Sequence, residues 1–135
     1  MALNQTLITQ KEVQVCIQIK DLLIDLGIGF TPTERPDLLI VTEPETNIPI
    51  TLDAEETVAC LRVQVCSERD DKLFYQKLLE ANTQIAHGHF QIEHGQVILA
   101  DNLETENLDA NELEASIASL VTALVRNADW LENDI

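Results

Sequence analysis

Between Thr9 and Leu26 the chain presents one narrow polar stripe, Gln14, Gln18, Asp21 and Asp25, and from Val13 onward everything else in the segment but Lys20 is apolar. The stripe advances by four, three and four residues, the period of a helix. A helix that is apolar around most of its circumference must be covered on more than one side. Whatever this chain folds into, its first element is therefore packed between partners. Thr9 and Glu12 have the spacing of a capping box, and Gly27 and Gly29 supply the stop. A second pattern runs through the same residues. Val13, Val15, Ile17 and Ile19 alternate with polar residues and Cys16, as in a half-buried strand. The capping box and the length of the segment favour the helix, while the alternation keeps a strand open for residues 12–20.

The remainder supplies the cover. Leu38 to Thr42 and Ile48 to Asp53 are short strands separated by the turn-prone Glu43 to Asn47. Thr57 to Cys66 alternates, with Ala59, Leu61, Val63 and Val65 on the core face and Cys60, Arg62, Gln64 and Cys66 on the other. These three elements are expected to form an antiparallel meander. A helix is expected from Asp70 to Ala86, with Leu73, Phe74, Leu78, Ala81 and Ile85 on its apolar side and Gly88 just beyond its end. His89 to Glu93 and Gln96 to Ala100 flank a two-residue His94-Gly95 turn, a hairpin that pairs Ile92 with Val97 and Phe90 with Leu99. The last helix opens at Asp109, with Glu112 closing the box and Leu108 stapling onto Leu113. Its buried side is Leu113, Ile117, Leu120, Leu124 and Leu131. The expected class is α+β, an antiparallel sheet with helices in the order α-β-β-β-α-β-β-α, forming a single domain over 1–135.

Charge narrows the partners. The 135 residues hold 24 acids and 8 bases, a net charge of −16. Such a field repels phosphate backbones and anionic lipid, so neither nucleic acid nor membrane is expected as a partner. From Asp101 to Ile135 Arg126 is the only base among the acids, which fits a solvated helix face or electrostatic steering of a basic protein partner. Met1 to Gln10 lacks a basic start and an apolar run of signal length, and the longest strongly apolar stretch, Ala115 to Val125, is too short to span a bilayer. Soluble, cytoplasmic residence is the expectation. Cys16, Cys60 and Cys66 are odd in number, and the last two lie six residues apart on one strand, so free thiols in a reducing compartment are expected.

The segment from Tyr75 to Leu120 carries a family likeness. "LLEANTQIAHGHF" (Leu78 to Phe90) ends a helix, "FQIEHGQVILADNLE" forms the hairpin, and "LDANELEASIASL" (Leu108 to Leu120) opens the last helix through Leu108, Asp109, Glu112 and Leu113. This arrangement resembles the fold shared by type III secretion chaperones and YbjN-like bacterial proteins. About half of the chain carries the likeness in sequence, and the rest matches in element order. The resemblance implies a small, usually dimeric protein that binds extended segments of other proteins and has no catalytic residues to carry over. These are packing and capping motifs, which speak to fold before function.

The residues capable of chemistry point the same way. His87-x-His89, with Glu93 at matching parity, is short of a metal set without a third ligand and a second shell. Cys60 and Cys66 have neither CxxC spacing nor a helix N-terminus to activate them. Asp70-Asp71 and the acids from Glu104 to Glu114 lack the spacing of a calcium loop. No nucleophile elbow, phosphate-binding Gly loop or zincin motif occurs. The expectation is a non-catalytic, cofactor-free interaction protein, homodimeric through the apolar face of the first helix, with Val13, Ile17, Leu22 and Ile24 as the candidate dimer or partner surface. A basic or extended polypeptide is the expected partner. The alternative is an enzyme or a small-ligand or metal sensor with a site between sheet and helices, using His87, His89 or a cysteine.

Overall fold

A computed structural model describes residues 8–132; the parts of the expectations that fall on 1–7 and 133–135 lie outside the described residues. The chain runs α1 (Gln10–Leu26), β1 (Gly29–Pro32), β2 (Leu38–Thr42), β3 (Pro49–Ala54), β4 (Val58–Ser67), α2 (Lys72–Asn82), β5 (His89–Glu93), β6 (Gln96–Glu104) and α3 (Ala110–Glu132). This is the expected α+β order with one strand added, β1.

The first element is a helix, which settles the competing strand pattern. Glu12 N–H donates to Thr9 Oγ1 at 3.0 Å and Thr9 N–H donates to Glu12 Oε1 at 3.2 Å, completing the capping box. At the other end Gly27 N–H reaches Ile24 O and Ile28 N–H reaches Leu23 O, the paired bonds that terminate a helix at a left-handed residue. With both ends satisfied, helix accounts for every backbone group that a strand would need a neighbour to satisfy.

All six strands form one antiparallel sheet in the order β1-β2-β3-β4-β6-β5. The hairpin has the expected register, Phe90 opposite Leu99 and Ile92 opposite Val97. Its turn residues His94 and Gly95 both have positive φ, 49° and 78°, as a two-residue type I′ turn requires. β6 runs on to Glu104, four residues beyond the expected end, and pairs with β4 along its length. One core cluster gathers buried residues of all three helices and of β2 to β6, with Leu23, Leu52, Leu61, Leu99 and Leu120 at its centre. Ile98 and Ala100 are buried yet stand outside that cluster, on the reverse face of the sheet.

Three details correct the sequence reading. A register shift between Gln64 and Cys66 sets Cys66 opposite Val97, a core residue, so Cys66 leaves the face of Cys60, Arg62 and Gln64 and packs with Val65 against the core. α2 starts at Lys72, capped by Asp71 Oδ1, and ends at Asn82 rather than Ala86. Its last turn tightens through Thr83 and Gln84 bonds to residues three back, so Gly88 lies six residues past the helix and has another task. For α3, the Asp109 carboxylate accepts the Glu112 N–H at 2.8 Å, the first half of the expected box. The far end of α3 is held by Arg69, whose guanidinium donates to the Trp130 and Leu131 carbonyls and lies 4.8 Å over the Phe74 ring. No helix among the described residues is long and apolar enough to cross a membrane.

Candidate interaction surfaces

α1 divides its apolar residues between two destinations. Val15, Cys16, Ile19 and Leu23 are buried against the sheet and α3. Ile17 follows Val13 by four residues and Ile24 follows Ile17 by seven, so these three rise on one line of the helix. On that line Ile17 is 49% and Ile24 64% exposed, and Val13 is half-buried. Leu22, the fourth candidate, lies on the opposite flank of the core face, where it packs against the core beside Thr105, Asn107 and Leu108. The structure thus sets Val13, Ile17 and Ile24 on one side of α1, with Lys20 between the two isoleucines, and leaves Leu22 apart.

The reverse face of the sheet is polar with an aliphatic middle. The row Ile40, Thr51, Arg62, Ala100 and His89 crosses it, strand by strand. Arg62 pairs with Glu93, which also accepts from Gln91, and His89 Nε2 lies 2.6 Å from Gln91 Oε1. The Arg62 hydrogen bond, supported by Gln91, holds the Glu93 carboxyl below the usual carboxylate range. Glu93 is therefore engaged chiefly by Arg62 and Gln91, while the side-chain bond of His89 goes to Gln91. His87 precedes the strand, with its N–H on Ser119 Oγ at 2.9 Å and its carbonyl accepting the Ser119 hydroxyl at 2.8 Å. Among the described residues no group of three or more His, Cys, Asp or Glu is placed to hold a metal ion.

The three thiols are unpaired. Burial, with a hydrogen bond to Glu55, pushes Cys60 up to about 11, and burial also raises Cys16 and Cys66. A thiol displaced in this direction is less ionised at neutral pH and a poorer nucleophile.

A carboxylate cluster escaped the sequence reading. Asp37, just before β2, is 1% exposed, and Arg35 clamps it with two bonds, Nε to Oδ1 at 3.0 Å and Nη2 to Oδ2 at 2.7 Å. The same Nη2 lies 3.6 Å from Asp53 Oδ1, a buried oxygen with no hydrogen bond. One guanidinium thus serves two acids. Burial raises the Asp53 carboxyl; attraction to Arg35 opposes this, and repulsion from Asp37 and Glu55 adds to it. A carboxyl raised in the fold binds its proton more tightly there than in the unfolded chain, so its charge costs stability as pH rises through its titration. Asp53→Asn is accordingly expected to be more stable than the parent in urea at pH 7, with the difference vanishing near pH 3.5. Arg35 and Asp37 stand two residues apart around Pro36, a spacing that marks no site in sequence, and Asp53 joins them only through the pairing of β2 with β3.

The acids of the C-terminal quarter do not share a face. Glu104 and Glu106 join Glu56 and Lys11 around one polar cleft. Asp101 turns inward to accept the hydroxyl of buried Ser116 at 2.7 Å. Glu114 joins Glu43 and Glu45 on a different cleft, of about 580 Å³, between the end of α1, the β2–β3 turn and α3. That cleft is floored by Leu26, Ile28, Ile117 and Val121.

This architecture has relatives among solved structures. YbjN from E. coli superposes with a TM-score of 0.60 at 10% identity, covering 83% of this chain and 90% of that one. A chain of the heterodimeric ExoU–SpcU complex from the type III secretion system of Pseudomonas aeruginosa gives 0.65 at 16% identity, covering 80% and 93%. A chain of the HopA1–SchA chaperone–effector complex gives 0.63 at 13% identity, covering 94% and 97%. At these identities the likeness is one of fold. A family model, CesT_Tir_1, matches residues 12–133. No curated protein matches the chain.

Proposed function

The chain belongs to the CesT_Tir_1 family, a type III secretion chaperone family, and from that premise we propose that it is a non-catalytic, homodimeric polypeptide-binding protein of the cytoplasm. It acts as one domain, without a cofactor, and its partner is another protein. The relatives support the partner: one is part of a heterodimeric complex and another of a chaperone–effector complex. The raised thiols and the engagement of Glu93 with Arg62 support a role without chemistry.

The observation that carries the dimer is the line Val13, Ile17, Ile24 on α1. Two large aliphatic side chains facing solvent on one helix line, beside a fully satisfied core face, form a patch that a twofold mate covers with the same patch. Sedimentation equilibrium of Ile17→Asp/Ile24→Asp at micromolar concentration tests it. The double variant is expected to sediment as a species of 15.1 kDa where the parent sediments at twice that mass. Its urea midpoint should fall only by the lost contribution of dimerisation and cease to depend on protein concentration, because neither side chain is in the core. Leu22→Asp is expected to leave the parent's mass and lower the midpoint further, by burying a charge against the core. A parent that sediments as a monomer contradicts the dimer.

A further inference from the structure

The cleft shared by Glu43, Glu45 and Glu114 has a chemistry of its own. Its floor is aliphatic, its rim carries three carboxylates, and no Lys or Arg among the described residues lines it. One side of the rim is rigid. Glu43 accepts the N–H groups of Glu45 and Thr46 at 2.9 and 2.8 Å and the Thr46 hydroxyl at 2.6 Å. These bonds, the hydroxyl's foremost, hold its carboxyl below the usual range, so it stands fixed and ionised. The opposite wall is α3, which from Ala115 to Val125 carries no charge. The next base along α3, Arg126, lines an adjoining cleft that shares Ala115, Ala118 and Thr122 with this one. Three negative charges therefore border an aliphatic floor whose own described lining residues include no base.

We propose that this cleft takes a basic amphipathic segment of a partner protein, aliphatic side chains on Leu26, Ile28 and Val121 and lysine or arginine against Glu43, Glu45 and Glu114. The inference rests on the polypeptide-binding reading and names its partner's chemistry. A second copy is a poor occupant of this rim, because it has only 8 bases among 24 acids to set against the three carboxylates. Its densest basic stretch, Arg69, Lys72 and Lys77, is interspersed with Glu68, Asp70, Asp71 and Glu80. Exposed ion pairs contribute little singly, but three of them around a desolvated aliphatic strip select for sign.

The test uses the full chain and a fluorescein-labelled synthetic helix of leucine and lysine, with a leucine–glutamate helix of the same spacing as the opposite-sign probe. Anisotropy at about 50 mM salt is expected to show binding of the basic helix alone. Glu43→Gln/Glu45→Gln/Glu114→Gln should weaken it about tenfold. Glu56→Gln/Glu104→Gln/Glu106→Gln, an equal charge change on the other cleft, should weaken it less than about twofold. Amide shifts on titration should concentrate at Ile28, Ala118, Val121 and Thr122. Equal losses in the two triple variants, or binding of both probes, overturn the proposal by showing diffuse attraction. A parent that dimerises and whose groove triple variant becomes monomeric also overturns it, since the occupant is then a second copy. If the chain retains a partner from its native lysate but ignores the basic helix, the cleft assignment fails while the polypeptide-binding reading stands. If it retains no partner, that reading fails.

Discussion

Replacing Gly88 by alanine is expected to lower the melting temperature by about 10 °C, corresponding to about 3 kcal/mol for a chain of this size. Two effects combine at this residue. Its φ of +100° lies where an L side chain is strained, and a Cβ there would come within 2.8 Å of the Ala100 carbonyl and of Leu120 Cδ2. The carbonyl belongs to a sheet strand and the leucine to the centre of the core, so neither can give way cheaply. The Gly88 segment is where the chain passes between β6 and α3, tied to α3 by the paired His87–Ser119 hydrogen bonds. Gly95→Ala separates the two effects. Gly95 also has positive φ, at 78°, but nothing stands within 4 Å of the new methyl, so the expected loss is only about 1 kcal/mol. Equal losses at the two glycines in thermal or urea melts would show that close approach contributes nothing.

Arg35→Ala is the second large effect, expected at about 3 kcal/mol. The substitution removes both hydrogen bonds from a carboxylate that is 1% exposed, leaving Asp37 charged and unpartnered beside Asp53. The reverse substitution is milder. Arg35 is 48% exposed, so Asp37→Asn leaves a guanidinium that water can solvate. The double variant Arg35→Ala/Asp37→Asn should recover a large part of the loss, because the cost lies in the orphaned charge. The Arg35→Ala deficit should also shrink as pH falls through the raised titration of Asp53, whose charge Arg35 offsets in the parent. A deficit independent of pH, and not rescued by Asp37→Asn, would mean that the arginine acts through packing.

Much of the fold is legible because local signals and global packing agree. α1 carries a capping box and a glycine stop, the hairpin carries a His-Gly turn between alternating strands, and α3 carries its Asp109 cap; all three occur where the residues place them. β1 is illegible for a physical reason. It is four residues bounded by Gly29 and Pro32, and only Phe30 packs against the core, so no alternation distinguishes it from the turn that its glycine and proline suggest. The shift at Cys66 is similar, since a bulge adds one residue without leaving a mark in the hydrophobic pattern. α2 shows how a helical period can overrun its helix. Ile85 still packs against the core, but it does so from the loop that carries the chain to Gly88.

The surface was harder to read than the core. The over-apolar α1 pointed to Val13, Ile17, Leu22 and Ile24, and the helix sorts them by angle, three on one line and Leu22 on the other flank. The acidity of the last quarter suggested a single face, yet Glu104 and Glu114 border different clefts. What joins Glu114 to Glu43 and Glu45 is tertiary: the β2–β3 turn and α3 meet across a gap of about seventy residues in sequence, and no spacing rule spans that distance.

The most direct test of a polypeptide-binding role is affinity capture by the intact chain from the cytosol of its native organism at low salt, with bound protein quantified by mass. The account predicts a second polypeptide in near-stoichiometric amount, released as salt is raised. Recovery of nothing beyond the chain itself would contradict it.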